Sequence, residues 1–161
     1  NEICYAYRNN LIAQLPVKGK KIATRDRFLN YILIRYKDST FIQRREAGDI
    51  WTSLYEFPLI ETNAPVEIDS LINEPIWKEM FGKEKIKILY GSQSIKHMLS
   101  HQILYTKFLI VEIIKPNYYL KSNYLEIPIL NIQEYSIPKV IDNFLAAEPS
   151  EKYFRKGDKD F

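Results

Sequence analysis

FLNYILIRY, residues 28–36, is a run rich in aromatic and β-branched side chains, and this composition predicts a β-strand. The short polar segment KDS follows the run, and TFIQRRE, residues 40–46, brings apolar and aromatic side chains back. Two such runs around a polar turn predict two antiparallel strands that are joined by a hairpin.

The next segments toward the C-terminus predict a third strand and a helix. SLYEFPLIE, residues 53–61, has the composition of a strand that is interrupted at Pro58. DSLINEPIWKEMFG, residues 69–82, has the apolar spacing of a helix that breaks before Pro75 and ends at Gly82. A broken helix is therefore expected between the third strand and the fourth.

Two more strands and a closing helix complete the predicted order. KIKILYGSQ, residues 85–93, and ILYTKFLIVEII, residues 103–114, are the fourth and fifth strands, and IKHMLSH leads into the fifth. IPKVIDNFLAAE, residues 137–148, has Pro138 near its first turn and apolar residues at helical spacing. The order predicts an α+β fold, a mixed-sheet sandwich with two main helices.

Length and composition indicate a single domain. The chain has 161 residues with 46% apolar content, which is sufficient for one core. Residues 1–23 have the composition of a linker, with Pro16, Gly19 and several basic side chains. We therefore place the domain at residues 24–148 and a frayed tail at residues 149–161.

The sequence contains no feature of a secreted or membrane protein. Cys4 is the single cysteine and cannot form an internal disulfide, so nothing indicates an oxidising compartment. No apolar run approaches the roughly eighteen residues of a membrane span, and the N-terminus lacks the layout of a signal peptide. We expect a soluble, cytoplasmic protein without a membrane partner.

Positive charge is concentrated in the first third of the chain. Residues 1–50 hold ten Lys and Arg against five Asp and Glu, although the whole chain has a net charge of only +3. Such an excess is compatible with a phosphate backbone as partner and is also common on inert surfaces. The aromatic residues suit a β-rich core, to which we assign Trp51 and Phe57, and they also suit stacking on bases.

IKHMLSHQ, residues 95–102, contains the only two histidines, His97 and His101. Zinc needs three or four ligands, and the neighbouring residues supply no carboxylate or thiolate, so a metal site is not expected. Nucleophilic catalysis is not expected either, because Cys4 has no histidine nearby in sequence and the side chains of Ser100 and His101 diverge in extended structure. A half-buried structural histidine remains an alternative at this stretch.

REAGDI, residues 45–50, resembles the start of the Nudix box, in which glutamates on a helix hold magnesium to hydrolyse nucleoside diphosphates. Asp49 and Ile50 stand where the second Glu pair of that box is required, and Lys37 and Tyr31 stand at its upstream Glu and Gly positions. Magnesium-phosphate chemistry needs clustered carboxylates. We therefore expect no Nudix hydrolase activity.

Four stretches in order resemble the C-terminal domain of the MutY-type A/G-specific adenine DNA glycosylases. GDIWTSLYEFP is similar to that family's Gly, Trp/Leu, Leu-aromatic-Glu-Phe-Pro signature, and IKHMLSHQIL is similar to its His-x-Phe-Ser/Thr-His-x-x-Leu loop. YSIPKVIDNFL is similar to its closing helix. CYAYRNN followed by LPVKGKK is similar to the junction between the iron-sulfur segment of the catalytic domain and the interdomain linker. The resemblance covers nearly the whole chain.

This resemblance implies a Nudix-like fold without the Nudix box and a role in DNA repair. The domain would recognise 8-oxoguanine opposite adenine in double-stranded DNA, so that its own N-terminal catalytic domain, absent from this chain, excises the adenine. The chain alone is then expected to be non-catalytic, as one part of a DNA N-glycosylase that works in the cytoplasm, at the nucleoid in a bacterium. A different alternative is a Nudix-like docking module for proteins, without direct base reading.

The resemblance also implies roles for particular residues. It places Ser100 and His101 on the damaged base. Leu99, where the family usually has Phe, and His97, which aligns with the first histidine of the motif, are further candidates for lesion binding, and a structural role that anchors the loop is the alternative for His97. Cys4 matches the last of four cluster cysteines; because a [4Fe-4S] cluster takes four thiolates, a cofactor is expected only in the full-length protein. Candidate phosphate contacts are Lys18, Lys20, Lys21, Arg44, Arg45 and Lys96.

Overall fold

β-strands form most of the framework between residues 24 and 147, the part of the chain that the computed structural model describes. The strands are β1 (Arg25–Arg35), β2 (Ser39–Arg44), β3 (Tyr55–Glu56), β4 (Leu59–Thr62), β5 (Ile86–Gly91), β6 (Ile95–Met98), β7 (Gln102–Ile113) and β8 (Leu125–Pro128). The helices are α1 (Ile68–Leu71), α2 (Pro75–Phe81), α3 (Tyr118–Asn123) and α4 (Lys139–Leu145), with a 3₁₀ helix at Ile129–Glu134.

The strands in this part of the chain form two sheets. The larger sheet has the order β4-β1-β7-β5, with β6 also paired to β7, and the smaller sheet has the order β3-β2-β8. β1 and β7 are parallel, with a register from Arg25 opposite Gln102 to Arg35 opposite Glu112, whereas the other pairs are antiparallel. The parallel pair places the start of β1 beside the turn that precedes β7.

The larger sheet is covered on both faces, which explains why β1 has an almost continuous apolar run. One face packs against the smaller sheet and α4 in a cluster that includes Leu29, Tyr31 and Phe144. The opposite face packs against α1, α2 and α3 in a second cluster that includes Ile32 and Trp77. The result is a mixed α+β sandwich, as the sequence predicts.

The predicted hairpin between β1 and β2 is only partly correct. The turn forms, with Tyr36 and Ser39 exchanging backbone hydrogen bonds of 3.0 and 2.9 Å and Lys37 at a φ of 52°. Beyond this bridge the strands enter different sheets, because both edges of β1 are taken by β4 and β7. The prediction of an antiparallel ladder between β1 and β2 is therefore wrong. Local sequence could not reveal that β1 pairs instead with β7, which is distant in sequence.

The predicted helices and the interrupted third strand agree with the structure. The strand is divided into β3 and β4 around Phe57 and Pro58, and these two short strands belong to different sheets. The broken helix appears as α1 and α2, with Pro75 in the first turn of α2 and Gly82 ending it at a φ of 58°. Pro138 occupies the N-cap position of the closing helix α4.

Several elements are not predicted by the sequence patterns. Residues 95–98 form their own strand β6 instead of an irregular lead into β7, and α3, β8 and the 3₁₀ helix occupy a stretch without clear periodicity. No helix within residues 24–147 is long and apolar enough to cross a membrane. Cys4, Lys18, Lys20 and Lys21 lie outside the described residues.

Candidate functional site

The β6–β7 hairpin carries the residues that the resemblance singles out. The ladder between the two strands ends at Met98 opposite Ile103, and the Leu99 N–H donates to the Gln102 carbonyl at 2.8 Å. Ser100 and His101 are therefore the two residues at the apex of a tight turn, and both are exposed. From β1, the Arg25 N–H donates to the His101 carbonyl at 3.2 Å, which ties the apex to the sheet.

Side chains on β6 alternate between the two faces of the sheet, as strand geometry requires. His97 and Leu99 turn inward; His97 is half-buried with its ring 6.4 Å from the Trp51 ring, and Leu99 packs against the cluster shared with α4. Lys96 turns to the other face, where its Nζ lies 5.9 Å from the centre of the Tyr105 ring. The predicted site residues thus divide into an exposed apex and an inward pair.

The loop at residues 48–53 lies next to this hairpin and has an unusual backbone. Gly48 has a φ of 105°, and Trp51 and Ser53 have φ values of 59° and 68°, a region that side chains other than glycine rarely adopt. Trp51 is half-buried against the same cluster as Leu99. The assignment of Trp51 to the core is thus only partly correct, whereas Phe57 is fully buried, 1% exposed.

Two arginines connect this loop to the sheet. Arg27 forms ion pairs with Asp49 and Glu61, each at 2.6 Å. Arg45 pairs with Asp49 at 2.5 Å and with the buried Glu56. The hydrogen bond from Arg27, together with that from the Ile50 N–H, lowers the pKa of Asp49 to about 2 against the cost of partial burial, so Asp49 is ionised at neutral pH.

The remaining candidate phosphate contacts differ in exposure and in how strongly their charged groups are already bound within the protein. Arg44 is exposed and its Nε donates to the Ser53 carbonyl at 3.3 Å, and Lys96 is exposed on β6. The Arg45 side chain is only 7% exposed and is held by Asp49 and Glu56. As a phosphate contact, Arg45 would first have to leave these two carboxylates.

REAGDI does not form the helix on which a Nudix box holds its metal. The segment lies in the turns between β2 and β3, and Asp49, one of its two acidic residues, is paired with two arginines. Within residues 24–147, no group of three or more His, Cys, Asp or Glu side chains is arranged to hold a metal ion. The described residues of the hairpin and the loop instead offer hydrogen-bonding groups at an exposed edge.

Comparison with known proteins identifies the family. The sequence profile of the NUDIX domain matches residues 30–147. The chain belongs to the NUDIX domain family. No curated protein matches the chain.

Solved structures agree on the fold of this NUDIX domain. It is similar to the C-terminal domain of mouse MUTYH, solved in complex with human PCNA, with a TM-score of 0.56 at 12% identity over 82% of this chain and 100% of that one. The MutT protein of Methanosarcina mazei Go1 gives 0.57 at 11% identity, covering 83% and 98%. The E. coli ORF135 protein gives 0.53 at 14% identity, covering 84% and 96%. At these identities the likeness shows the NUDIX fold alone.

Sequence reasoning missed the role of Arg27 in this region. Its partners Asp49 and Gln102 are 22 and 75 residues away in sequence, so no local pattern connects them. The sequence did contain one signal: Arg27 lies two and four residues before Leu29 and Tyr31, so its side chain is on the same inward face of the strand. A charged side chain that is removed from water needs an opposite charge or hydrogen-bond acceptors as partners.

Proposed function

We propose that this NUDIX domain is the lesion-recognition domain of a MutY-type adenine DNA glycosylase. Its partner would be double-stranded DNA that carries 8-oxoguanine opposite adenine. The observation that carries the proposal is the exposed apex formed by Ser100 and His101 on a hairpin that is tied to the sheet by backbone hydrogen bonds. The fold likeness to the MUTYH C-terminal domain is in keeping with this role.

The apex has the chemistry that distinguishes 8-oxoguanine from guanine. The lesion has a carbonyl at C8 and a hydrogen on N7, so it offers a donor where guanine offers an acceptor. The Ser100 hydroxyl can accept from the N7 hydrogen and donate to the C8 carbonyl, and a neutral His101 imidazole can do either through its two nitrogens. A bidentate contact of this kind is worth about 1 to 3 kcal/mol of discrimination.

The proposed complex also needs contacts to phosphates and a catalytic domain. Lys96 on β6 and Arg44 at the end of β2 are exposed cations that would contact phosphates, as would Lys18, Lys20 and Lys21 on the linker. Excision of the adenine would belong to the N-terminal catalytic domain. Cys4 would be the last of the four thiolates that hold its [4Fe-4S] cluster, and the whole protein would act in the cytoplasm on chromosomal DNA.

The proposal is tested by the selectivity of DNA binding. The chain is titrated with fluorescent duplexes that differ only in 8-oxoguanine:adenine or guanine:adenine, and the ratio of dissociation constants is measured. The double variant Ser100→Ala, His101→Ala should lower a preference for the lesion by about tenfold or more, because two hydrogen-bonded contacts are lost. The control Ser94→Ala removes an exposed hydroxyl before β6 and should leave the ratio unchanged. An equal ratio in all three proteins refutes base reading by the apex.

A second candidate function is docking to a protein, and one surface favours it. The edge formed by β5 and β6 exposes Ile88, Ile95 and Met98, with fractional exposures of 46%, 41% and 71%. Ile95 and Met98 point to opposite faces of β6, so the three side chains lie along the edge and do not form one patch; an edge strand with exposed apolar residues is a site at which another chain can pair. The similar MUTYH domain was solved with PCNA as its partner. Salt separates the two functions: binding to DNA weakens steeply as salt rises, whereas binding through an apolar edge does not.

A further inference from the structure

Every hydrogen-bond donor of the Arg27 guanidinium is engaged. The group has five N–H donors in a planar fork. Nε and Nη2 donate to the two oxygens of Glu61 at 2.7 and 2.6 Å, and Nη1 and Nη2 donate to the two oxygens of Asp49 at 2.6 and 2.8 Å. The fifth donor, on Nη1, reaches Oε1 of Gln102 at 3.1 Å. The side chain is 8% exposed, so these partners replace water almost completely.

The three partners of Arg27 belong to three different parts of the molecule. Glu61 is on β4, within the same sheet as Arg27 itself. Asp49 is in the loop at residues 48–53, and Gln102 is the first residue of β7, directly after His101. One buried side chain therefore joins the sheet, the loop and the base of the hairpin apex.

The geometry of these bonds determines direction as well as attachment. Two carboxylates that each take two bonds from one guanidinium fix the plane of that group. With the plane fixed, the remaining Nη1 hydrogen is aimed at Gln102, and the backbone bond from Arg25 holds the neighbouring His101 carbonyl. Both attachments of the apex come from the first three residues of β1, so the start of β1 sets the position of Ser100 and His101.

We propose that Arg27 is a positioning residue for lesion reading. By holding Asp49 and Gln102 together, it fixes the apex and the loop at residues 48–53 as one rigid surface. Arg27 does not contact DNA in this role and acts only through its partners. The role presupposes the DNA-reading function proposed above. A site that reads a single hydrogen difference between two bases has to be held within about 0.5 Å of its productive geometry, and a hairpin at the edge of a sheet needs such support.

The hydrogen bond between Arg27 and Gln102 can be removed without replacing Arg27. Gln102→Met keeps the length of the side chain and removes only its acceptor. Gln102→Glu restores an acceptor of the same shape. The matched control is Glu61→Gln, which removes the charge on the side of β4. Its amide oxygen can still accept one bond from Arg27, and the two bonds to Asp49 still hold the plane of the guanidinium, so the bond to Gln102 stays in place.

Amide hydrogen exchange in the intact chain, without DNA, is the first measurement. In Gln102→Met, the amides of Leu99 and Arg25, which close the apex, should exchange about tenfold faster, as expected for the loss of a bond to a charged group. Gln102→Glu should return the rate to that of the wild type, and Glu61→Gln should change it by less than about twofold. Equal rates in the wild type and Gln102→Met, or equal acceleration in Glu61→Gln, would overturn the positioning role. Should Gln102→Met fail to fold, Gln102→Asn withdraws the acceptor by one methylene and gives the same comparison.

Titration of the same variants with duplex DNA separates this inference from the proposed function. If the wild type prefers 8-oxoguanine:adenine and Gln102→Met loses most of that preference while Glu61→Gln keeps it, both hold. If the wild type and Gln102→Met show the same preference, DNA reading stands and the role of Arg27 is refuted. If the wild type shows no preference, DNA reading fails, together with the role in lesion reading, and the exchange rates then report only on how the apex is held.

Discussion

Replacing Trp51 tests the positive φ of this residue in the loop at residues 48–53. At such a φ, glycine should be more stable than alanine, which reverses their usual order of stability. In a strand or helix, glycine is less stable than alanine by roughly 0.5 to 1 kcal/mol, since it loses more backbone freedom on folding. Trp51 has a φ of 59°, where alanine is strained and glycine is not. Trp51→Gly should therefore be more stable than Trp51→Ala by about 1 kcal/mol.

The absolute cost of these substitutions follows from the burial of the ring. Removing a fully buried tryptophan costs about 3 to 5 kcal/mol. Trp51 is half-buried, so Trp51→Ala should cost about 2 kcal/mol, and Trp51→Gly about 1 kcal/mol. Trp77, which is 6% exposed on the buried face of α2, provides the comparison, and Trp77→Ala should cost close to the full amount.

Urea unfolding followed by far-ultraviolet circular dichroism measures all three variants. The free energies of unfolding are compared at a common slope, so that a change in midpoint reports stability. If Trp51→Ala proves more stable than Trp51→Gly, the residue is not left-handed in solution. If Trp51→Ala lowers the unfolding free energy as much as Trp77→Ala, the Trp51 ring is fully buried in the core and is not half-exposed beside His97.

Further predictions concern acid stability, packing and salt. Asp49, with its pKa lowered to about 2, stabilises the fold above pH 4; roughly 1 kcal/mol after solvent screening should be lost as pH falls from 4 to 2, and Asp49→Asn should remove this part of the acid dependence in a pH series of urea midpoints. In Gly91→Ala the added methyl group would lie 2.3 Å from Cδ1 of Ile68, the end of a half-buried side chain that can turn aside, so the unfolding free energy should fall by only about 0.5 to 1.5 kcal/mol, and a loss of about 3 kcal/mol or more would show that Ile68 cannot move. Lys96→Ala and Arg44→Ala should each reduce the slope of log K against log salt by about 0.9 if they contact phosphate, and equal slopes would remove them from the interface.

Local features of the chain could be predicted where one short segment carries the whole signal. Pro75 and Gly82 mark a break and an end of the helical pattern, and Pro138 marks the start of α4, because each acts through its own backbone. The interruption at Pro58 was visible for the same reason. What could not be seen is that this interruption moves the chain from one sheet to the other.

Features that depend on distant partners could not be predicted from one sequence. The parallel pairing of β1 with β7 joins residues that are 77 positions apart, such as Arg25 and Gln102, and it removed the expected ladder between β1 and β2. The same pairing brings Arg27 to Gln102. Without it, nothing in the sequence indicates that the strand at residue 27 supports the apex at residue 101.

The different orientations of His97 and His101 depend on both local sequence and a distant partner. The spacing of His97 and His101 places both near a strand start, but their orientation depends on whether residues 95–98 pair with β7. Because β6 forms and the turn closes between Leu99 and Gln102, His97 turns toward Trp51 and His101 is left exposed. Their roles stay predictions that rest on this geometry.

The two imidazoles provide the most direct test of lesion reading by the apex. Their carbon-bound proton signals are followed by NMR while the chain is titrated with duplex containing 8-oxoguanine:adenine, then guanine:adenine, with zinc as a control for metal binding. We predict that His101 moves with the lesion duplex and much less with the undamaged one, while His97 moves little and zinc has no selective effect. If His101 does not distinguish the two duplexes at saturating concentrations, the apex does not read the base, and docking through the β5–β6 edge becomes the better account.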